Sequence, residues 1–185
     1  VYDLDDARAR EFQLVENLQR ADIHPLEEAD GFHALIQAGY SAEAIAERVG
    51  HDVSYVYKRL QLRQLIEPLA NEFLAGTIHY GHALLLSRLS AAGQQRVVDE
   101  AILWHSRHDH VGDSRVELPK KTAIPVAALG SWIRQNLLLD IHAAPWKKDD
   151  ATLVPAAGPC TTCQKRSSAN ASLFDDLPKH DLCLD

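Results

Sequence analysis

The 185-residue chain is 46% hydrophobic and 24% charged, with a formal net charge of −7. This is ordinary globular composition with enough apolar material for a sizeable core, and its acidic balance excludes a protein that coats nucleic acid or membrane through bulk charge. The longest apolar runs, ALLL and LLLDI, are far too short to cross a bilayer, and no secretory signal is visible.

In chain order, Asp3 to Arg20 is a mixed charged stretch ending in EFQLVENLQR. A helix is predicted from Pro25, which suits a first helical turn, with Glu27 and Glu28 at its positive end. Leu26, Ala29, Phe32, Leu35 and Ile36 recur at helical spacing and Gly39 ends the pattern. Ser41 is a suitable N-cap for the next helix, whose apolar positions are Ala42, Ile45, Ala46 and Val49. Gly50 stops it, and Val53, Val56, Leu60 and Leu62 mark another. Beyond it, Pro68 marks a boundary, Gly76 a turn, and His82 to Leu89 a short apolar helix. SAAGQQRVVDEAILWH reads as one further helix capped by Ser90.

From His105 to Thr122 the pattern breaks into a polar, His-rich stretch, read as a loop or a place where residues are missing. IPVAALGSWIRQNLLLDI restores a helix with Val126, Leu129, Trp132, Ile133 and Leu137 on one face. HAAPWKKDDATLVPAAGPC, with three prolines, is predicted to be an extended linker. Strand signals are almost absent. The expected fold is all-α: a multi-helix domain containing a helix-turn-helix, with a small zinc-ribbon-like C-terminal appendage. The expected boundaries are 1–24, 25–143 and 144–185.

Tyr40 to Leu62 meets the requirements of a helix-turn-helix. Ala46 is small enough for a close helix crossing, Gly50 tolerates positive φ four residues later, and Val56 and Leu60 lock the second helix. In that register Ser54, Tyr57, Lys58 and Gln61 point outward, with groups suited to base edges and phosphates. Arg59 and Arg63 fall on the flank where phosphates would run. Every charge from Val53 to Leu65 is positive, although the whole chain is acidic. The competing reading of the same pattern is a helix hairpin in any α-bundle.

The segment ENLQRADIHPLEEADGFHALIQAGYSAEAIAERVGHDVSYVYKRLQL resembles the central region of the ParB family of partition proteins. The matching residues are Glu16 to Arg20, Pro25 with Glu27 to Ala29, and Ser41 to Leu60; Gly76, Ile78, Gly81, His82 and Ala83 also stand in the family's order. The resemblance spans Glu16 to Leu89, and the later helix and cysteine tail look like plasmid-type or phage-type relatives. It implies a cytoplasmic, nucleoid- or plasmid-associated homodimer that binds double-stranded DNA at a centromere-like repeat, with a partition ATPase as a further partner and no membrane role. It also implies CTP and Mg²⁺ binding that closes a DNA clamp, with Glu16 and Asn17 at metal and triphosphate and Arg20 beside them. A carboxylate and an amide oxygen suit Mg²⁺, and Arg suits phosphate; without the family, these residues read as a charged helix face. The family's arginine-rich GERR box and Gly-rich phosphate loop do not occur in the chain, which starts at Val1 and contains no methionine. A piece of a longer protein is therefore expected, with CTP binding dependent on upstream residues.

All three cysteines lie near the C-terminus: Cys160 and Cys163 form C-x2-C, and Cys183 follows after nineteen residues. This matches three positions of a zinc-ribbon spacing, and His180 offers a fourth ligand. The alternatives are free thiols or a redox pair, the latter lacking a βαβ context. His105, His108 and His110 read as a solvated loop, His82 as structural, and the three tryptophans as core or linker anchors. No nucleophile motif or P-loop is present, so no enzyme activity is expected of this segment itself, although the wider family includes CTPases. A helix-turn-helix transcriptional regulator or replication accessory without nucleotide dependence is the alternative function.

Overall fold

The computed structural model describes residues 22–101, 105–106, 121–169 and 181–184. Among these residues the protein is mostly helical, with seven α-helices and two pairs of two-residue strands. The chain divides into two compact units, Val1–Gln64 and Leu65–Asp185.

The first unit holds α1 (Pro25–Gln37), α2 (Ala42–Val49), α3 (Val53–Gln61) and a 3-10 turn (Leu62–Gln64). Each α-helix start has a local cause. His24 Nδ1 accepts the Leu26 amide at 3.2 Å, with Pro25 in the first turn. Ser41 Oγ accepts the Ala44 amide at 3.2 Å, and Asp52 Oδ1 accepts the Tyr55 amide at 2.7 Å. These side chains satisfy donors that a helix N-terminus leaves unpaired. Phe32, Leu35, Ala42, Ile45, Ala46 and Val56 form the core, with Ile23, Ile36, Tyr40, Val49, Val53, Tyr55 and Leu60 packed against it. The expected small residue at the helix crossing, Ala46, is buried, as is Val56.

The second unit contains α4 (Glu67–Leu74), α5 (Tyr80–Ser87), α6 (Ala91–Glu100) and α7 (Val126–Asn136). Leu69, Phe73, Ile78, Ala83, Leu86, Val97, Leu129 and Ile133 are among its buried side chains. Ile66 begins α4 without a side-chain cap of its own. Buried Gln94 compensates, its Oε1 accepting the Ile66 amide at 2.9 Å while its Nε2 donates to the Leu89 carbonyl at 3.1 Å. His82 is buried at the start of α5: Nδ1 accepts the His79 amide at 3.1 Å, which leaves the ring proton on Nε2, 2.7 Å from the Ile124 carbonyl. Gly81 lets Val126 approach, since a Cβ there would lie 3.2 Å from its Cγ2. The Gly-His pair therefore joins the start of α5 to the segment entering α7.

Three expectations are corrected. The helix predicted to run on through His105 stops at Glu100, and His105–Ser106 (β1) pairs antiparallel with Lys121–Thr122 (β2). Apolar spacing alone cannot fix where a helix stops when strand pairing offers the backbone another set of partners. Likewise the helix predicted over the IPVAALGSWIRQNLLLDI run ends at Asn136, and Leu139–Asp140 (β3) pairs antiparallel with Leu182–Cys183 (β4); two-residue strands are too short to show alternation. Finally, residues 142–160 are a run of turns and bends rather than an extended linker. The Thr161 amide donates to the Lys148 carbonyl at 3.2 Å, Lys148 Nζ to the His142 carbonyl at 3.0 Å, and the Thr152 amide to Asp150 Oδ1 at 2.8 Å. Prolines stop helices there, and short-range donors close turns between them.

Candidate nucleic-acid interface

The turn between α2 and α3 is set by Gly50, at φ 73° and ψ 30° in the left-handed region. Its amide and that of His51 both donate to the Ala46 carbonyl. The chain thereby reverses within a few residues, and α3 packs across both α1 and α2.

The face of α3 turned toward α1 is polar as well as apolar. Glu28, buried in α1, accepts the Tyr55 hydroxyl on Oε1 at 2.6 Å and Arg59 Nε on Oε2 at 2.6 Å. Arg59 Nη2 also donates to the Tyr55 oxygen at 3.1 Å, and its guanidinium lies 4.5 Å from the Tyr55 ring centroid. His51 stacks on that ring at 3.9 Å with an 11° interplanar angle, and Phe32 meets it edge-on at 6.3 Å. Tyr55 and Arg59 are four residues apart, so one turn of α3 brings both to Glu28. Burial, together with the Glu28 acceptor, raises the Tyr55 phenol above its ordinary value, because ionisation would set a phenolate against a carboxylate.

Ser54, Tyr57, Lys58 and Gln61 fall at helical i, i+3, i+4 and i+7 positions, on the face away from buried Val56. Tyr57 is exposed and the other three are half-buried. The expected flanking arginines behave differently. Arg59 is turned inward to the Glu28 pair, its side chain only 14% exposed. Arg63 stays at the surface, with Nε 2.8 Å from Asp30 Oδ1. Spacing along α3 locates Arg59 on a flank but cannot show that a carboxylate on α1 captures it. Glu28, Tyr55 and His51 are the residues of this site that sequence reasoning missed. The available signal was weak: an acidic residue in one helix and an aromatic–Arg pair at i, i+4 in another.

Glu16, Asn17, Arg20 and His180 lie outside the described residues. Cys160 lies in a turn that ends at Cys163, and Cys183 lies in β4, all half-exposed and none disulfide-bonded. Among the described residues no three or more His, Cys, Asp or Glu side chains are gathered as a ready metal site, and no helix is long and apolar enough to cross a membrane.

Residues 21–107 match the ParB HTH domain family. The chain is 45% identical to the chromosome-partitioning protein Spo0J of Thermus thermophilus over 152 residues, covering 80% of this chain and 56% of that protein. It is 42% identical to the probable chromosome 1-partitioning protein ParB of Deinococcus radiodurans over 83 residues, covering 45% of this chain and 29% of that protein. The chain thus spans about half, or less, of these relatives' lengths. In fold it resembles the C-terminally truncated ParB of Caulobacter crescentus, solved in complex with the centromeric parS site. The TM-score is 0.54 at 22% identity, over 73% of this chain and 62% of that one. With the α2–Gly50–α3 geometry inside the matched segment, residues 21–107 belong to the ParB helix-turn-helix domain family.

Proposed function

We propose that this chain is the DNA-reading segment of a chromosome-partition protein, with α3 entering the major groove of a centromere-like repeat. The observation that carries the reading is α3 itself. It is capped by Asp52, turned out of α2 by left-handed Gly50, held on α1 by Glu28, and presents Ser54, Tyr57, Lys58 and Gln61 on one face. Hydroxyl, ammonium and amide groups suit base edges and phosphates. The names of the T. thermophilus and D. radiodurans relatives support a chromosomal rather than a plasmid site. In this reading Arg63 adds charge at the end of the face, while Arg59 acts by orienting α3.

Selection of bound sequences from a random duplex pool tests the proposal. Recovery of one inverted repeat is the expected outcome and would establish use as a dimer; a pool with no enriched sequence would sink the reading. Lys58→Ala is expected to weaken binding to the selected site by about 1–3 kcal/mol if Lys58 meets a base edge. If it meets a phosphate, the loss is the same on every sequence and the salt slope falls by about one. Unchanged affinity and slope would remove Lys58 from the interface.

The nucleotide half of the reading rests on Glu16, Asn17 and Arg20, with CTP and Mg²⁺ as the ligands and residues upstream of Val1 completing the pocket. In the longer protein this would close a clamp on DNA, in the nucleoid, with a partition ATPase as partner. Calorimetry of this chain with CTP and Mg²⁺ is expected to show no tight binding, and a strong exotherm would overturn the dependence on upstream residues.

A further inference from the structure

We propose that Cys160, Cys163 and Cys183 are thiolate ligands of one zinc ion that fastens the C-terminal segment of the second unit. The first observation is the turn at Cys163. Its Sγ accepts the Lys165 amide, two residues on, at 3.3 Å, and the Thr162 amide donates to the Pro159 carbonyl at 3.1 Å. A tight turn of this kind brings the two sulfurs of C-x2-C to one side.

The second observation is where the chain places the third cysteine. Cys183 forms an antiparallel bridge with Arg166, three residues beyond Cys163, and the Leu184 amide donates to the Lys165 carbonyl at 3.0 Å. The Leu182 amide is held by Ser167 Oγ at 3.1 Å. Backbone pairing thus returns a cysteine nineteen residues distant to the limb that leaves the C-x2-C turn.

The third is how small the buried core of this segment is. Of the described residues beyond Ile141, only Ser167 and Leu182 are buried. A segment with so small a core needs a cross-link, and none of its cysteines forms a disulfide. Among the described residues the three sulfurs are not gathered as a ready group, so zinc binding would be coupled to their final convergence. Zinc suits the set because thiolate ligands favour it and a tetrahedral ion needs only one ligand more.

The test is metal content of the whole chain, purified without a His tag under reducing conditions and then loaded with zinc. About one equivalent is expected to survive dialysis. Cobalt in its place is expected to give a thiolate-to-metal charge-transfer band and the visible absorption of a tetrahedral site. Cys163→Ser and Cys183→Ser should each lose the band. Wild-type thiols should react slowly with a disulfide reagent until a chelator is added, a readout that does not require the variants to fold. The proposal is overturned by less than about a tenth of an equivalent, by metal retained without a thiolate band, or by thiol reactivity indifferent to the chelator.

Discussion

Gly50 is the residue on which the α2–α3 turn depends. Its φ of 73° lies where a side chain crowds its own carbonyl, yet an added Cβ would meet no neighbour within 4 Å. The cost of Gly50→Ala is therefore purely conformational, about 1–2 kcal/mol. Asn, which visits this region more readily, is expected to cost less. Urea denaturation of the two variants checks the order, and equal losses would contradict the backbone account. The glycine's place was legible in the sequence, because a stop four residues after a small residue needs no tertiary information. Glu28 is the opposite case. EEA at the start of a helix predicts two solvated carboxylates, and only packing shows that one of them is buried against Arg59.

At the level of the element, α3 is held by polar contacts as much as by apolar ones. Glu28→Ala leaves the Arg59 guanidinium without its buried carboxylate, and a loss of about 3–5 kcal/mol is expected. DNA affinity should fall with it even under conditions where the unit stays folded, because α3 loses its orientation on α1. Alkaline titration gives an independent measurement. Tyr55 is raised above its ordinary value near 10, so the folded unit holds the phenolic proton more tightly than the unfolded chain does. That contribution is fully present below the unfolded value and is lost as pH rises through the higher folded value. Wild-type stability should therefore decline at alkaline pH more steeply than that of Tyr55→Phe; parallel profiles would show that Tyr55 is not the responsible group.

Over the whole molecule, a net charge of −7 is compatible with the proposed DNA recognition because the charge is unevenly distributed: no acidic residue occurs from Val53 to Leu65. The two units also carry separate reporters. All three tryptophans, Trp104, Trp132 and Trp146, lie in Leu65–Asp185, so their fluorescence follows the second unit. His82 ties the Ile124 carbonyl and the His79 amide within that unit. His82→Ala leaves the buried Ile124 carbonyl and the part-buried His79 amide unmatched and is expected to cost about 1–3 kcal/mol. A tryptophan-detected midpoint that does not move would show that the bonds to His82 contribute nothing.

Whatever local rules control can be read from the residue order alone. Helix starts follow from capping residues such as Ser41 and Ser90, the α2–α3 turn from Gly50, and the core from spacings such as Phe32–Leu35 and Ala42–Ile45–Ala46. It also singled out the outward face of α3, because helical periodicity alone sorts Ser54, Tyr57, Lys58 and Gln61 from Val56. Tertiary structure decided the rest: that Arg59 turns to Glu28, that β3 finds β4, that Gln94 caps the start of α4, and that Cys183 returns beside the Cys163 turn. These pairings join residues fifteen or more positions apart, where no short period links the partners. Their energies come from burial and hydrogen bonding that exist only once the chain has folded.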